Sequence, residues 1–370
     1  MNSKTAVQNI LKNTNVIING KNPWDPQIHN EKFYSRVLSG GSLALGESYM
    51  DAWWDVKDLP EMIRRIVKAR LDDKKIGIRK LIIPYLKSKT LNLQKLNAYK
   101  IGKWHYDIGN ELYQKMLGKS MQYSCAYWKD TKTLDEAQKN KIDLICKKLK
   151  LKDGETLLDI GCGWGTLLKY AAKNYGIKGI GLTVSEEQAK FAREINKGLP
   201  VKIEVADYRT FEGKFDKIVS VGMIEHVGHK NYRKFMEVAE RCLKENGIFL
   251  LHTIGSNEST TGPGDPWVDK YIFPDGKLPS IAQLSKASEK LFMTEDIHSF
   301  GPYYAKTLRA WHENFERAWS ELKKNYSEKF KRMWDYYLLM FVGTFEARHN
   351  QLWQIVYRKI GAKDVYESVR

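Results

Sequence analysis

The sequence predicts an α/β fold whose parallel sheet is covered on both faces. Two observations carry this. Short apolar runs alternate with helical runs between residues 156 and 255, and a glycine-rich turn follows the first apolar run and opens a helix. A chain of 370 residues is long enough for one large domain or two ordinary ones.

In order along the chain, residues 1–75 hold a strand candidate, NVIING (15–20), a turn-rich stretch, and the helical pattern LPEMIRRIVKARL. Between them GGSLALGESYMDAWW, with its glycines and adjacent tryptophans, points to a small N-terminal domain. Residues 76–104 read as a basic linker, and residues 105–370 as the catalytic domain. There TLLDI (156–160) is a short buried strand, followed by GCGWG and the helix TLLKYAAKNY. KGIGLT (178–183) is a second strand and SEEQAKFAREINK its helix. VKIEVAD (201–207), FDKIVSVG (215–222), a helix over about 231–243, and GIFLLHTIG (247–255) complete the alternation. A loop rich in Gly, Ser and Pro, GSNESTTGPGDP, then leads into aromatic-rich helices expected to run nearly to the C-terminus.

The charge narrows the partners. Lys and Arg number 61 against 44 Asp and Glu, a net +17, which suits a polyanion: nucleic acid or an anionic membrane surface. From Lys74 to Lys103 there are nine basic residues and no acidic one, interleaved with Ile, Leu and Tyr as in a membrane-surface segment; a solvated basic linker is the plainer alternative. No run approaches the ~18 apolar residues of a membrane span. The start MNSKTAVQNILKN lacks the apolar core of a secretion signal. Cys125, Cys146, Cys162 and Cys242 form no CxxC pair, so a zinc ribbon or disulfide framework is not expected and the cytoplasm is the expected compartment.

LDIGCGWG (158–165) carries the cofactor reading. Glycines 161, 163 and 165 let backbone approach a ligand and aim helix N–H groups at it. The spacing is G-x-G-x-G, not the G-x-G-x-x-G of dinucleotide folds. Asp159 stands before the turn, placed to take an amino group, and Asp207 closes a later strand, placed to meet an adenine amino group. Together these favour S-adenosylmethionine (SAM) over NAD. Thr183 stands where an acidic residue usually takes the ribose hydroxyls. Gln188 would substitute, or would cap the helix within S-E-E-Q (185–188).

In a parallel sheet the carboxyl ends of the strands share one edge, so Gly161, Thr183, Asp207, Glu225 and His252 are expected to converge. His226 and His229, in VGMIEHVGHKNY, show neither HExxH spacing nor a cysteine partner, and no metal site is expected there.

These runs, with HYDIGN (105–110), MQYSCAYW (121–128), GLTVSEEQ, SVGMIEHVG, FLLHTIGS, DPWVDKYIFPDG, FGPYYAKTLRAW, NYSEKFKRMW, QLWQ (351–354) and the N-terminal RVLSGGSLALGESYMDAWW, resemble the cyclopropane-fatty-acyl-phospholipid synthases, relatives of the mycolic acid cyclopropane synthases. The likeness covers nearly the whole chain from about Val16. It implies a SAM-dependent methyltransferase fold, a Rossmann-like sheet with helical insertions, beside a small N-terminal domain that meets lipid or a second subunit.

It further implies transfer of a methylene from SAM to the cis double bond of a membrane phospholipid acyl chain, through a carbocation deprotonated by bound bicarbonate. The implied base site is Glu225, His252, Tyr304 (Tyr303 being the alternative), and the backbone of Cys125 and Ile254. Around SAM it implies Tyr123, Ser124, Gly161, Gly163, Thr183, Gln188 and Tyr208. Trp128, Tyr271, Phe273 and the tyrosines at 303–304 are candidates for cation-facing aromatics. Neither Cys125 nor Cys162 is expected to act as a thiol nucleophile. The implied setting is the inner face of the membrane, peripherally bound, with a homodimer possible.

A methyl-branched or hydroxylated product is the nearest alternative. A nucleic-acid methyltransferase would carry Pro-Cys or Asn/Asp-Pro-Pro-Tyr, which this chain lacks. A non-catalytic lipid-binding protein would tolerate losses at Glu225, His252 or the glycines, and none is lost.

Overall fold

A computed structural model describes residues 2–69, 109–262 and 264–370. The basic segment at 74–103, the linker, and most of HYDIGN lie outside the described residues. The described residues pack as two compact units. One holds 2–69, 261–262, 264–275 and 304–350, and the other holds 109–260, 276–303 and 351–370. Parts of the region read as the catalytic domain, 264–275 and 304–350, therefore pack with the N-terminal residues.

The first unit is mainly helical. Helix Ser3–Leu11 is capped by Asn2, whose side chain accepts the Lys4 N–H. Helix Lys32–Met50 bends at Gly41, where φ is +57°, a left-handed value open to glycine at little cost. Strands β1 (Gln27–Ile28) and β2 (Trp54–Asp55) form an antiparallel ribbon. Helix Leu59–Lys68 starts on the Asp58 cap with Pro60 in its first turn, as expected from LPEMIRRIVKARL. Helix Pro266–Tyr271, the helix Pro302–Leu322 from Tyr304 onward, and helix Glu328–Glu346 complete it. Trp54, Trp267, Trp311, Trp334 and Tyr336 fill the core.

Residues 15–20 do not form the expected strand. Asn15 and Asn19 adopt left-handed φ values of 54° and 56°, and the Asp25 carboxylate accepts the N–H groups of Ile17 and Asn22. These side chains offer the backbone local partners that compete with a strand ladder.

The second unit is the predicted α/β sheet. Its strands are β3 (Thr156–Ile160), β4 (Lys178–Thr183), β5 (Val201–Val205), β6 (Phe215–Val221), β7 (Leu243–Ser256), β8 (Phe292–Ser299) and β9 (Asn350–Lys359), in the order β5-β4-β3-β6-β7-β9-β8. Strands β5, β4, β3, β6 and β7 run parallel, whereas β8 and β9 pair antiparallel. β8 and β9 correct the expectation of helices to the C-terminus. In β9 every residue is buried, so the polar/apolar alternation that marks a half-exposed strand is missing from its sequence.

Alternate residues face opposite cores. Leu157, Val219, Leu250 and Val356 pack under helices Leu134–Lys148, Thr166–Tyr175 and Glu186–Ile195. Leu158, Ile218, Phe249 and Tyr357 pack under helices Tyr232–Cys242 and Ile281–Ser288. Each fully buried large apolar side chain contributes roughly 1.5–3 kcal/mol. Strand order reverses at β3, between β4 and β6, and the crevice at such a switch point is where ligands bind.

Candidate functional site

The expected convergence is present in the sheet unit. Ile160 lies opposite Leu182, Thr183 opposite Val205, and Val221 opposite His252. The turns after β3, β4, β5 and β6 therefore emerge together, beside His252 of β7. The turn after β3 needs its glycines: φ is +86° at Gly161 and +54° at Gly163. A Cβ on Gly161 would lie 2.8 Å from Met223 Cγ, so the turns after β3 and β6 touch. At Gly163 the nearest atom to such a Cβ is Gln188 Nε2 at 3.8 Å, which leaves the turn open on that side.

The backbone and side chain of Gln188 have separate partners. Ser185 Oγ accepts the Gln188 N–H at 3.2 Å and so caps the helix, while the Gln188 side chain accepts the Thr183 hydroxyl at 2.9 Å. The amide is held toward the turn and not back on the cap. Asp159 is 2% exposed, and its Oδ1 has no hydrogen-bond partner. Burial pushes its carboxyl up to about 7, opposed by the nearby Lys141 ammonium. An unpaired buried carboxylate oxygen and an open glycine turn fit the amino group and close backbone approach that SAM requires.

Asp207 also has a protein partner. Its carboxylate accepts both the backbone N–H and the Nε–H of Arg209 at 2.9 Å, and this pairing holds it below the ordinary value although burial works the other way. Tyr208 is half-buried against Phe235, with ring centroids 5.6 Å apart.

On the other side of the turn, Tyr113 bridges Tyr123 and Trp164, at 5.2 and 5.4 Å. Ser124 is buried, and its Oγ accepts from Lys141 Nζ at 2.8 Å. Lys141 is itself buried, and desolvation pushes its ammonium down to about 7. The sequence reading missed Lys141. The signal was there: Ala137, Lys141, Leu144, Ile145 and Lys148 share one face of helix Leu134–Lys148, so two lysines occupy core positions.

Glu225 lies in a 3-10 turn, Ile224–His226, just beyond β6. Its Oε1 accepts the Ile254 N–H at 2.8 Å, and its Oε2 is buried without a partner. Burial pushes the carboxyl up to about 7. Ile254 thus contributes through its backbone, but its N–H is given to Glu225. His252 is 1% exposed; Gln354 Nε2 lies 3.3 Å from its Nδ1, and its Nε2 is buried without a partner. Burial, reinforced by Lys141 and Lys148, holds its imidazole well below its ordinary value, so the ring is neutral. His226 is pushed down to about 4 by burial, and burial also lowers His229.

Cys125 is fully buried, its thiol donating to Ala126 O at 3.3 Å. Burial, with Asp159 beside it, raises the Cys162 thiol well above its ordinary value, which makes it a poor nucleophile. Trp128 is half-buried in the sheet unit. Tyr303 also stays there, its ring 5.6 Å from that of Tyr127. Tyr304 belongs to the first unit and packs on Trp311 and Phe345. So do Tyr271, whose hydroxyl donates to Glu47, and Phe273, which packs on Tyr337.

A five-stranded parallel core with a glycine turn at its switch point and an orphaned acid beside it defines a SAM-dependent methyltransferase fold. The comparisons narrow this. Residues 93–355 match the model of the mycolic acid cyclopropane synthetase family, and the chain belongs to that family. It is 49% identical over 351 residues to the cyclopropane-fatty-acyl-phospholipid synthase of Escherichia coli K12, covering 95% of this chain and 92% of that protein. It is 38% identical over 225 residues to cyclopropane mycolic acid synthase 1 of Mycobacterium tuberculosis, covering 56% of this chain and 78% of that one. Among solved structures, a mycolic acid cyclopropane synthase complexed with SAH and CTAB superposes with a TM-score of 0.65 at 32% identity, over 70% of this chain and 98% of that one.

Proposed function

We propose that this chain transfers a methylene group from SAM to the cis double bond of an unsaturated phospholipid acyl chain and closes a cyclopropane ring. The observation that carries the reading is the buried Glu225 and His252 at the sheet edge, each with one polar atom left unpaired beside the glycine turn.

Tyr123, Ser124, Asp159, Gly161, Gly163, Thr183, Gln188 and Tyr208 would hold SAM, which when bound supplies an electrophilic methyl on a sulfonium. Addition of that methyl to the alkene leaves a carbocation on the acyl chain, and loss of a proton from the added carbon lets the ring close. Water would capture such a cation, so a dry site is required, and Glu225, His252 and Cys125 are all buried. Glu225, His252 and the Cys125 backbone would hold a bicarbonate ion, which when bound would supply the base. Both side chains suit an anion: a neutral imidazole has one N–H to donate, and a carboxyl raised to about 7 is available in its donating form near neutral pH.

The net charge of +17 supports peripheral binding to an anionic membrane surface, at about 1 kcal/mol per basic residue near the headgroups. No helix of the described residues is long and apolar enough to cross a membrane. The first unit is the part assigned to lipid or to a second copy of the chain.

The test is mass spectrometry of lipids from vesicles of cis-monounsaturated phosphatidylglycerol incubated with SAM and the protein. Gain of one CH2 with loss of the alkene supports the reading. Gain of a methyl and a hydroxyl would establish the methyl-branched or hydroxylated alternative, and unchanged lipid would overturn both.

A further inference from the structure

His252 can serve as a donor at the site only if its two ring nitrogens are kept in fixed roles. In a neutral imidazole one nitrogen carries the proton and the other a lone pair, and the partner of one decides the state of the other. Among the described residues, the side chain hydrogen-bonded to this ring is Gln354, on β9, the strand next to β7. Gln354 is 0% exposed, and its Nε2 lies 3.3 Å from His252 Nδ1, while its Oε1 has no hydrogen-bond partner. The amide nitrogen is therefore the engaged end. In this orientation the amide N–H donates, Nδ1 accepts, and the proton belongs on Nε2. The Phe300 ring flanks the imidazole, with centroids 5.9 Å apart, and limits its rotation.

We propose that Gln354 is a positioning residue that fixes His252 as the Nε2–H tautomer, so that the buried Nε2 always presents a proton to the anion or substrate at the sheet edge. This rests on the role given above to His252, but its test is separable from that role. Leu352, Gln354 and Val356 share one face of a fully buried strand, where an amide between two apolar residues is costly unless it has a specific partner.

The experiment is long-range 15N–1H correlation spectroscopy of the histidine rings in the wild-type protein and in Gln354→Met. The chain has 8 histidines, and His252→Gln identifies the signal in question. The expected wild-type signal is Nε2–H. Gln354→Met, similar in size but without a donor, should lose that fixed pattern, and its kcat should fall by about 10- to 100-fold with little change in KM for SAM.

A wild-type Nδ1–H signal would overturn the proposal, as would a Met variant with the wild-type spectrum and rate. If Gln354→Met does not fold, the wild-type spectrum still decides the tautomer, and Gln354→Glu, which only accepts once its carboxyl is ionised, should change it at high pH. If the tautomer is Nε2–H but His252→Gln keeps full ring-forming activity, the positioning stands and the role of His252 falls.

Discussion

Replacing Glu225 with glutamine separates the ionisable proton from the shape of the site. The amide oxygen can still accept the Ile254 N–H, now 2.8 Å from Oε1, so the local geometry is kept. In the wild type, burial raises the carboxyl from 4.5 to about 7. Because the folded value lies above the unfolded one, the stability due to the neutral form is complete below about pH 4.5. It is lost as pH rises through 7. At about 1.4 kcal/mol per pH unit, the loss amounts to about 3 kcal/mol at most. Glutamine cannot ionise, so Glu225→Gln should match the wild type near pH 5 and exceed it near pH 8.5, by up to a few degrees in melting temperature.

Its ring-forming rate should nonetheless fall by about 10²- to 10⁴-fold, because the amide can donate to the bound anion but cannot pass on the proton that the anion takes up, with SAM affinity unchanged by calorimetry. A variant that keeps the wild-type rate, or whose melting follows the wild type at both pH values, would refute the reasoning.

Three further perturbations address the cofactor turn and its support. Gly163→Ala meets no atom closer than 3.8 Å, so it should cost only about 1–2 kcal/mol for its φ of +54°, yet lower SAM affinity at least about tenfold by calorimetry because the methyl fills the open side of the turn. Gln188→Ala should leave helix stability within about 0.5 kcal/mol, since Ser185 still caps the helix, while SAM affinity drops several-fold. Lys141→Met removes the donor to Ser124 and the charge that opposes the rise of Asp159; SAM affinity should fall by about 10- to 100-fold, and the SAM-binding pH profile should shift upward with the carboxyl.

The parallel core and its ligand edge were legible because their signals are local. Strand–turn–helix repeats with glycine punctuation survive in one sequence, and from them the shared edge of Gly161, Thr183, Glu225 and His252 follows by topology. β8 and β9 were not legible. β9 is buried on both faces, so its period is masked, and its neighbour β7 lies about a hundred residues earlier. Gln354 was quoted as a motif residue, but its link to His252 requires that strand pairing first. Lys141 could have been found as a charge on an apolar helix face. The pairing of Asp207 with Arg209, two residues on, is a further contact that position in the chain does not reveal. The failed strand at 15–20 has the same cause, since Asp25 supplies partners that spacing alone does not reveal.

The central claim is that a proton leaves the transferred carbon before the ring closes. SAM carrying a trideuterated methyl, supplied with cis-monounsaturated phospholipid vesicles, tests this directly. The expected product is a saturated ring that retains two of the three deuteria, with the third lost to the base. A product that keeps all three, as a methyl branch or a methyl carbinol, would mean that no base acts on the added carbon, and the assignment of Glu225 and His252 would be contradicted.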